Sequence, residues 1–113
     1  MKIPQDAIIE EQKLSEYLLA PRNEDDKSGF LALGGFTLPD TTPLRNAILK
    51  HIGEHNASPQ RQNTYGRIYA VSGDLVGVNG YTLEITTIWI LLNHDERFHF
   101  VTLKPERRGE NNA

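Results

Sequence analysis

The sequence predicts an α+β domain in which N-terminal helices pack on a C-terminal antiparallel β-meander of three to four strands. Apolar residues recur with helical spacing before residue 52, and strand-like runs of β-branched and aromatic residues follow residue 65. An Asn79-Gly80 pair lies between two of these runs and predicts a hairpin. Helices followed by a meander are typical of helices covering one face of an antiparallel sheet. We expect one domain over residues 1–105 and a disordered tail over 106–113.

Two helices are predicted in the first third of the chain. In residues 10–20 apolar side chains fall at i, i+3 and i+4, and the Ala20-Pro21 pair ends this helix, because a residue before proline avoids helical dihedrals. A short second helix is expected over about residues 27–33. Aspartates that can cap it precede it, at positions 25 and 26, and Gly34-Gly35 stops it.

The third predicted helix has the clearest start signal. Capping side chains at positions 40–42 precede Pro43, a residue favoured in the first helical turn. Apolar residues then continue with helical spacing as far as Ile52. Since Gly53 disfavours a helix interior, we expect the helix to end near Ile52.

The second half of the chain is predicted to be β-structure after a polar linker over residues 56–64. The hairpin turn at Asn79-Gly80 is expected to be type I′, in which both central residues have positive φ. The long run before residue 92 is apolar on both faces towards its end, as in a central strand. Strands are expected at 65–71, with 74–78 continuing or bulging from it, at 81–92 and at 98–103.

Composition excludes several classes of protein. The chain has a net charge of −3, so no global positive field attracts it to nucleic acid or to an acidic membrane. It has no cysteine, which excludes disulfides, thiolate metal sites and cysteine nucleophiles. It also lacks a signal-peptide pattern and any run of about 18 apolar residues, so we expect a cytoplasmic protein without a membrane partner.

The stretch His51-Ile52-Gly53-Glu54-His55 matches the His-x-x-Glu-His pattern of inverted zinc proteases. Such a site needs both histidines on one regular helix and a third protein ligand. Gly53 is placed to end the helix, which turns His55 away from the face of His51. Those proteases carry the third ligand on a downstream helix, whereas here only strands are predicted after His55. We therefore expect no metal site and no cofactor.

His51 and Lys27 each have two interpretations. His51 lies almost in line with the buried stripe of the third helix, in its last turn. It is either a partly buried histidine favoured by the helix dipole or a general acid or base facing a cleft. Lys27 opens the second helix, where a cation opposes the dipole. It is either a solvated lysine balanced by its acidic neighbours or a functional residue.

Three further candidates lie in the predicted sheet. Tyr65 and Arg67 stand where the linker meets the first long strand, a suitable place to bind a phosphate or carboxylate. They are otherwise an edge-strand aromatic and its charged neighbour. Thr87 shares one strand face with Ile85 and Trp89. Its hydroxyl either forms an internal hydrogen bond or binds a substrate oxygen in a cleft crossing the strand.

Six short segments that follow one another along the chain resemble an uncharacterised bacterial domain family (DUF6883). This family is found alone and at the C-terminus of longer toxin-like proteins. The resemblance spans roughly residues 1–105. One departure is that family members often have a His-Pro pair after the first helix, where this chain has Ala20-Pro21-Arg22. If that histidine is catalytic, this protein is altered or inactive. The segments are KLSEYLL (13–19), KSGFLALGGF (27–36), LRNAILKH (44–51), YGRIYAVSGDL (65–75), TTIWIL (86–91) and VTLKP (101–105).

The resemblance implies a fold similar to the small RNase toxins grouped with barnase, EndoU, colicin D and RelE. It implies a metal-independent ribonuclease with an RNA substrate and a small antitoxin or immunity protein as partner. The alternative is a non-enzymatic interaction module of the same fold, so the sequence leaves open whether the protein is an enzyme. The matching positions give the candidate catalytic set Lys27, His51, Tyr65, Arg67 and Thr87.

Overall fold

The computed structural model describes residues 1–24 and 26–106. Within them the elements follow one another as a π-helix, two α-helices and four strands. The α+β class is confirmed, with a four-stranded antiparallel sheet in the order β1-β2-β3-β4. The elements are the π-helix Lys13–Leu18, α1 Ser28–Ala32, α2 Thr42–Glu54, β1 Ala57–Gln62, β2 Gly66–Val76, β3 Thr82–Leu92 and β4 Phe98–Pro105.

The segment predicted to be a polar linker contains an edge strand. β1 pairs antiparallel with β2, from Ala57 opposite Val71 to Gln62 opposite Arg67. Only Ala57 of the six residues of β1 is buried. The prediction was wrong because an edge strand exposed on both faces has no apolar alternation to reveal it.

The hairpin between β2 and β3 lies where it was predicted but has a different turn. Gly80 has a φ of 87°, while Glu96 is the only non-glycine residue of the described chain with positive φ. The Gly80 N–H donates to the Gly77 carbonyl at 3.1 Å. Asn79 therefore does not adopt the type I′ conformation, and the loop resembles a type I turn followed by a left-handed glycine.

The helices cover one side of the sheet. α2 packs against β2, and the π-helix contacts β4. α2 continues through Gly53 to Glu54, two residues beyond its expected end, and His55 follows in an extended conformation. The apolar stripe of α2 meets the inward-facing residues of β2 and β3 around Trp89. Trp89 is fully buried, and its ring makes an edge contact with the Phe100 ring, with 5.3 Å between the ring centres.

Two expectations concern the ends and the environment of the chain. Most of the tail predicted over 106–113 lies outside the described residues, which end at Glu106. Among the described residues, no helix has the length and apolar character needed to cross a membrane.

Candidate functional site

Tyr17 lies at the centre of a polar cluster between the π-helix, the start of α1 and β4. The Lys27 ammonium donates a hydrogen bond to Tyr17 Oη at 3.3 Å and lies 5.2 Å from the centre of the Tyr17 ring. Thr102 Oγ1 donates to the same oxygen at 3.4 Å. Lys27 is only 7% exposed, which is unusual for a lysine. Its ammonium is therefore held at the phenol instead of extending into water.

Arg22 adds a second cation to this Tyr17 cluster. Its guanidinium carbon lies 4.6 Å from the ring centre, within the range of a cation–π contact. Hydrogen bonds from Ser28, through its hydroxyl and its backbone N–H, lower the pKa of Asp26. The charge of nearby Arg22 also lowers the pKa of that carboxyl. The loop before α1 thus carries opposite charges next to the phenol.

The Tyr17 cluster borders a cleft of about 440 Å³. Lys13 lies on the wall of this cleft with Arg22 and donates a hydrogen bond to the Val101 carbonyl at 3.2 Å. Tyr17 belongs to a π-helical segment, and such segments are frequent at functional sites. Cations and a phenol at a cleft suit the binding of a phosphate and the transfer of a proton. The cleft is lined by Glu10, Gln12, Lys13, Glu16, Tyr17, Arg22 and Val101.

His51 and Thr87 lie together inside the core. Their side chains are 1% and 0% exposed. His51 Nδ1 lies 3.1 Å from the Asp74 carbonyl, and Nε2 lies 3.1 Å from Thr87 Oγ1 and 3.2 Å from the Val71 carbonyl. Trp89 Nε1–H donates to Thr87 Oγ1 at 2.8 Å. The buried network of His51, Thr87 and Trp89 therefore joins α2 to β2 and β3.

The protonation of His51 follows from these partners. Burial is the largest influence and lowers the pKa of His51, although hydrogen bonding to the Asp74 and Val71 carbonyls acts in the opposite direction. A carbonyl can only accept, and each ring nitrogen faces one, so the neutral ring, which has a single N–H, donates to either the Asp74 or the Val71 carbonyl. The Thr87 hydroxyl lies at hydrogen-bonding distance from Nε2 and accepts from the Trp89 N–H. Every polar atom of this network has a partner within the protein.

Tyr65 and Arg67 lie at the other end of β2. Arg67 is four residues from Val71, the partner of Thr87, which corresponds to about 13 Å along the strand. Tyr65 is 72% exposed, and its N–H donates to Asn63 Oδ1 at 2.8 Å. The Arg67 guanidinium donates to Gln62 Oε1 at 3.2 Å and borders clefts of about 220 and 450 Å³. These two residues form an exposed corner of the sheet.

Family membership is decided by a match over nearly the whole chain. The family model described as "Domain of unknown function (DUF6883)" matches residues 2–107. The chain belongs to this family. No curated protein sequence matches it.

Among solved structures, this DUF6883 domain is similar to a chain of a contact-dependent growth inhibition toxin–immunity protein complex from Klebsiella pneumoniae 342. The TM-score is 0.64, with 16% sequence identity over 90% of this chain and 95% of the other. At this identity the likeness shows a shared fold.

The five predicted residues of the DUF6883 domain therefore occupy three places: Lys27 in the Tyr17 cluster, His51 with Thr87 in the core, and Tyr65 with Arg67 at the corner. The sequence prediction did not include Tyr17 or Arg22. Helical spacing places Tyr17 on the apolar face of its helix, and Arg22 follows Ala20-Pro21, where family members often have a His-Pro pair. The unfavourable position of Lys27 at a helix start was the available signal for this cluster.

Proposed function

We propose that this DUF6883 domain is a metal-independent ribonuclease of the toxin type and that the Tyr17 cluster is its active site. The observation that carries the proposal is the buried Lys27 ammonium, which meets the Tyr17 phenol beneath a stacked Arg22 at the edge of a cleft. Removing an ammonium from water is costly, and such a group is commonly retained for its chemistry. The fold likeness to a chain of a toxin–immunity complex supports the same class of protein.

The proposed reaction is attack of a ribose 2′-oxygen on the adjacent phosphorus with departure of the 5′-oxygen. Lys27 and Arg22 would neutralise the charge that grows on the phosphate oxygens. Tyr17 Oη–H would donate its proton to the leaving 5′-oxygen. Glu10 and Glu16, whose side chains line the cleft, would supply a carboxylate that accepts the 2′-proton.

The other four predicted residues have different roles in the proposal. Tyr65 and Arg67 would bind flanking nucleotides, because an exposed ring can stack on a base and a guanidinium can pair with a phosphate. Direct chemistry by His51 or Thr87 stays a prediction. It would require their buried hydrogen bonds to open, since a general base must reach the proton that it removes.

The proposal is tested by incubating the purified protein with single-stranded RNA in EDTA. We expect cleavage of RNA but not of DNA of the same sequence, which lacks the attacking hydroxyl. Lys27→Ala should lower the rate by roughly 10²–10³-fold, the typical effect of removing one transition-state contact. Lys50→Ala is the matched control, because Lys50 is an exposed lysine on α2.

Three outcomes decide between the possibilities. If the folded wild type does not cleave RNA, or if Lys27→Ala cleaves as fast as Lys50→Ala, the proposal is wrong. Loss of activity in a folded His51→Gln variant would instead favour His51 as the acid or base. Cleavage that appears only in Ala20→His would show that the chain has lost the loop histidine found in its relatives.

The second candidate function is a non-enzymatic interaction module. β1 is an outer strand of the sheet, so its outward backbone groups face no other strand in the described residues. A small immunity or antitoxin protein could add a strand there. Stable complex formation with such a partner, without RNA cleavage by the free domain, would support this function.

A further inference from the structure

The end of α2 and the exposed part of β2 bring together three potential metal ligands. Glu54 is the last residue of α2, His55 follows it, and Asp74 lies on β2 beyond the residues that pair with β1. One donor atom from each of the three side chains lies within 4.8 Å of the other two. None belongs to the elements that form the Tyr17 cluster. These residues define the Glu54–His55–Asp74 group.

His55 is held in one orientation by two contacts. Its Nε2 lies 2.7 Å from Asp74 Oδ1. Its ring packs so closely over Gly73 that a Cβ there would lie 2.6 Å from three ring atoms. The absence of a side chain at position 73 therefore allows the imidazole to lie against β2. The ring nitrogen is directed at the carboxylate, and His55 and Asp74 side chains remain 28% and 40% exposed.

The charge around this group favours a cation. Glu54 and Asp74 each contribute a carboxyl side chain. The C-terminal end of α2 adds the negative pole of the helix dipole. Glu54 is exposed and has no ion pair with the described residues, so its flexible side chain can turn towards a ligand. One imidazole and two carboxyl groups then surround a single position.

We propose that Glu54, His55 and Asp74 bind a divalent transition-metal cation of the zinc type, with water completing the coordination. An imidazole nitrogen beside carboxylates suits zinc better than magnesium or calcium, which prefer oxygen ligands alone. Donor atoms around a tetrahedral zinc lie about 3.4 Å apart. The 2.7 Å pair needs to open by roughly 0.7 Å, and Glu54 needs to approach through side-chain rotation.

The proposed ligand set differs from that of the His-x-x-Glu-His pattern in the sequence. His51, the first histidine of the pattern, directs its ring nitrogens at Asp74 and Val71 carbonyls and at Thr87. It holds the backbone of Asp74 in place instead of binding the ion. The expected effect of the metal is to fasten the end of α2 to the unpaired edge of β2.

The test is zinc titration of the purified full chain after removal of metal with EDTA and dialysis. We expect one zinc ion per chain, no binding of magnesium at the same concentration, and an increase in Tm with zinc. Glu54→Ala should weaken zinc binding roughly tenfold or more. This variant removes an exposed side chain, so its fold should be intact. His55→Gln should weaken zinc binding at least as much.

His99 provides a matched control. Its Nε2 also lies 2.7 Å from an aspartate, Asp95 Oδ2, but no third ligand group accompanies this pair in the described residues. His99→Gln should therefore leave zinc affinity unchanged. Absence of stoichiometric zinc binding by the wild type, or equal weakening by Glu54→Ala and His99→Gln, would overturn the proposal. Because the readout is binding, failure here leaves the ribonuclease proposal untouched.

Discussion

The Tyr17 cluster and the buried network of His51, Thr87 and Trp89 both consist of polar side chains between helices and sheet. In the buried network both ring nitrogens of His51 have hydrogen-bonding partners within the protein, and the residue is 1% exposed. In the Tyr17 cluster two cations converge on one phenol beside a cleft of about 440 Å³. The first arrangement satisfies polar groups inside the core, whereas the second places cations, carboxylates and a phenol around a cleft that a ligand can enter.

The two regions therefore have different expected roles: the buried network stabilises the fold, and the Tyr17 cluster is the proposed active site. A closed hydrogen-bond network stabilises a fold because each buried group would otherwise lack a partner. Charged side chains at an open cleft add little stability, because water screens them, but the cations among them provide a place for an anion. We therefore expect substitutions in the buried network to change the free energy of unfolding and those in the Tyr17 cluster to change activity.

The largest expected effect on stability is that of His51→Ala. It opens a cavity and leaves the Thr87 hydroxyl and the Asp74 carbonyl without their present partner. Together these effects should lower the free energy of unfolding by about 4 kcal/mol. Urea denaturation measures this loss. His94→Ala, at an exposed turn position, should change stability by less than about 0.5 kcal/mol. Equal effects of the two substitutions would show that the buried network is not structural.

The pH dependence of stability gives a smaller effect from the same residue. Burial lowers the pKa of His51 below its ordinary value of 6.5, so below that pH the unfolded chain binds a proton that the folded chain does not. Wild-type stability should fall by up to about 1.4 kcal/mol per unit as the pH drops from 6.5 towards the folded pKa.

The loss in His51→Ala should therefore shrink on acidification, as measured by urea denaturation at pH 7 and pH 5.5 in EDTA. His55 and Asp74, the other titratable groups near His51, are present in both proteins. The carboxyl groups with lowered pKa, such as Asp74, lose their contribution only below their ordinary values near 4. A constant difference between the two proteins would show that His51 binds the same number of protons in the folded and unfolded states over this range, and a difference that grows on acidification would show that His51 is protonated in the folded state.

Local patterns predicted the elements that have a buried face. Helical spacing placed His51 on the buried stripe of α2, and the structure confirms its burial. The Asn79-Gly80 pair located the hairpin between β2 and β3. β1 was missed because five of its six residues are exposed and its identity depends on pairing with β2. Local sequence patterns thus predict elements that have a buried face. They do not predict an exposed strand such as β1, which depends on hydrogen bonds to its neighbour.

The candidate site was less predictable because its partners are distant in sequence. Tyr17 meets Lys27 ten residues away and Thr102 eighty-five residues away. Its helical spacing with Leu14 and Leu18 explains a partly buried ring but says nothing about the position of the phenol oxygen. Likewise, the grouping of Glu54 and His55 with Asp74 depends on how the end of α2 meets the edge of β2. Such contacts follow from topology, which local spacing does not determine.

Among substitutions within the two regions, Tyr17→Phe has the smallest expected effect on stability, and it gives the sharpest test of the contrast. The substitution keeps the ring beneath Arg22 and removes only the oxygen that Lys27 and Thr102 approach at 3.3 and 3.4 Å. Urea denaturation should show a loss of about 1 kcal/mol or less, typical of one hydrogen-bonding group. RNA cleavage should nevertheless fall by roughly 10²-fold or more, because a general acid has been removed. If the variant loses cleavage only in proportion to its unfolded fraction, the Tyr17 cluster stabilises the fold, as the His51 network does, and is not an active site.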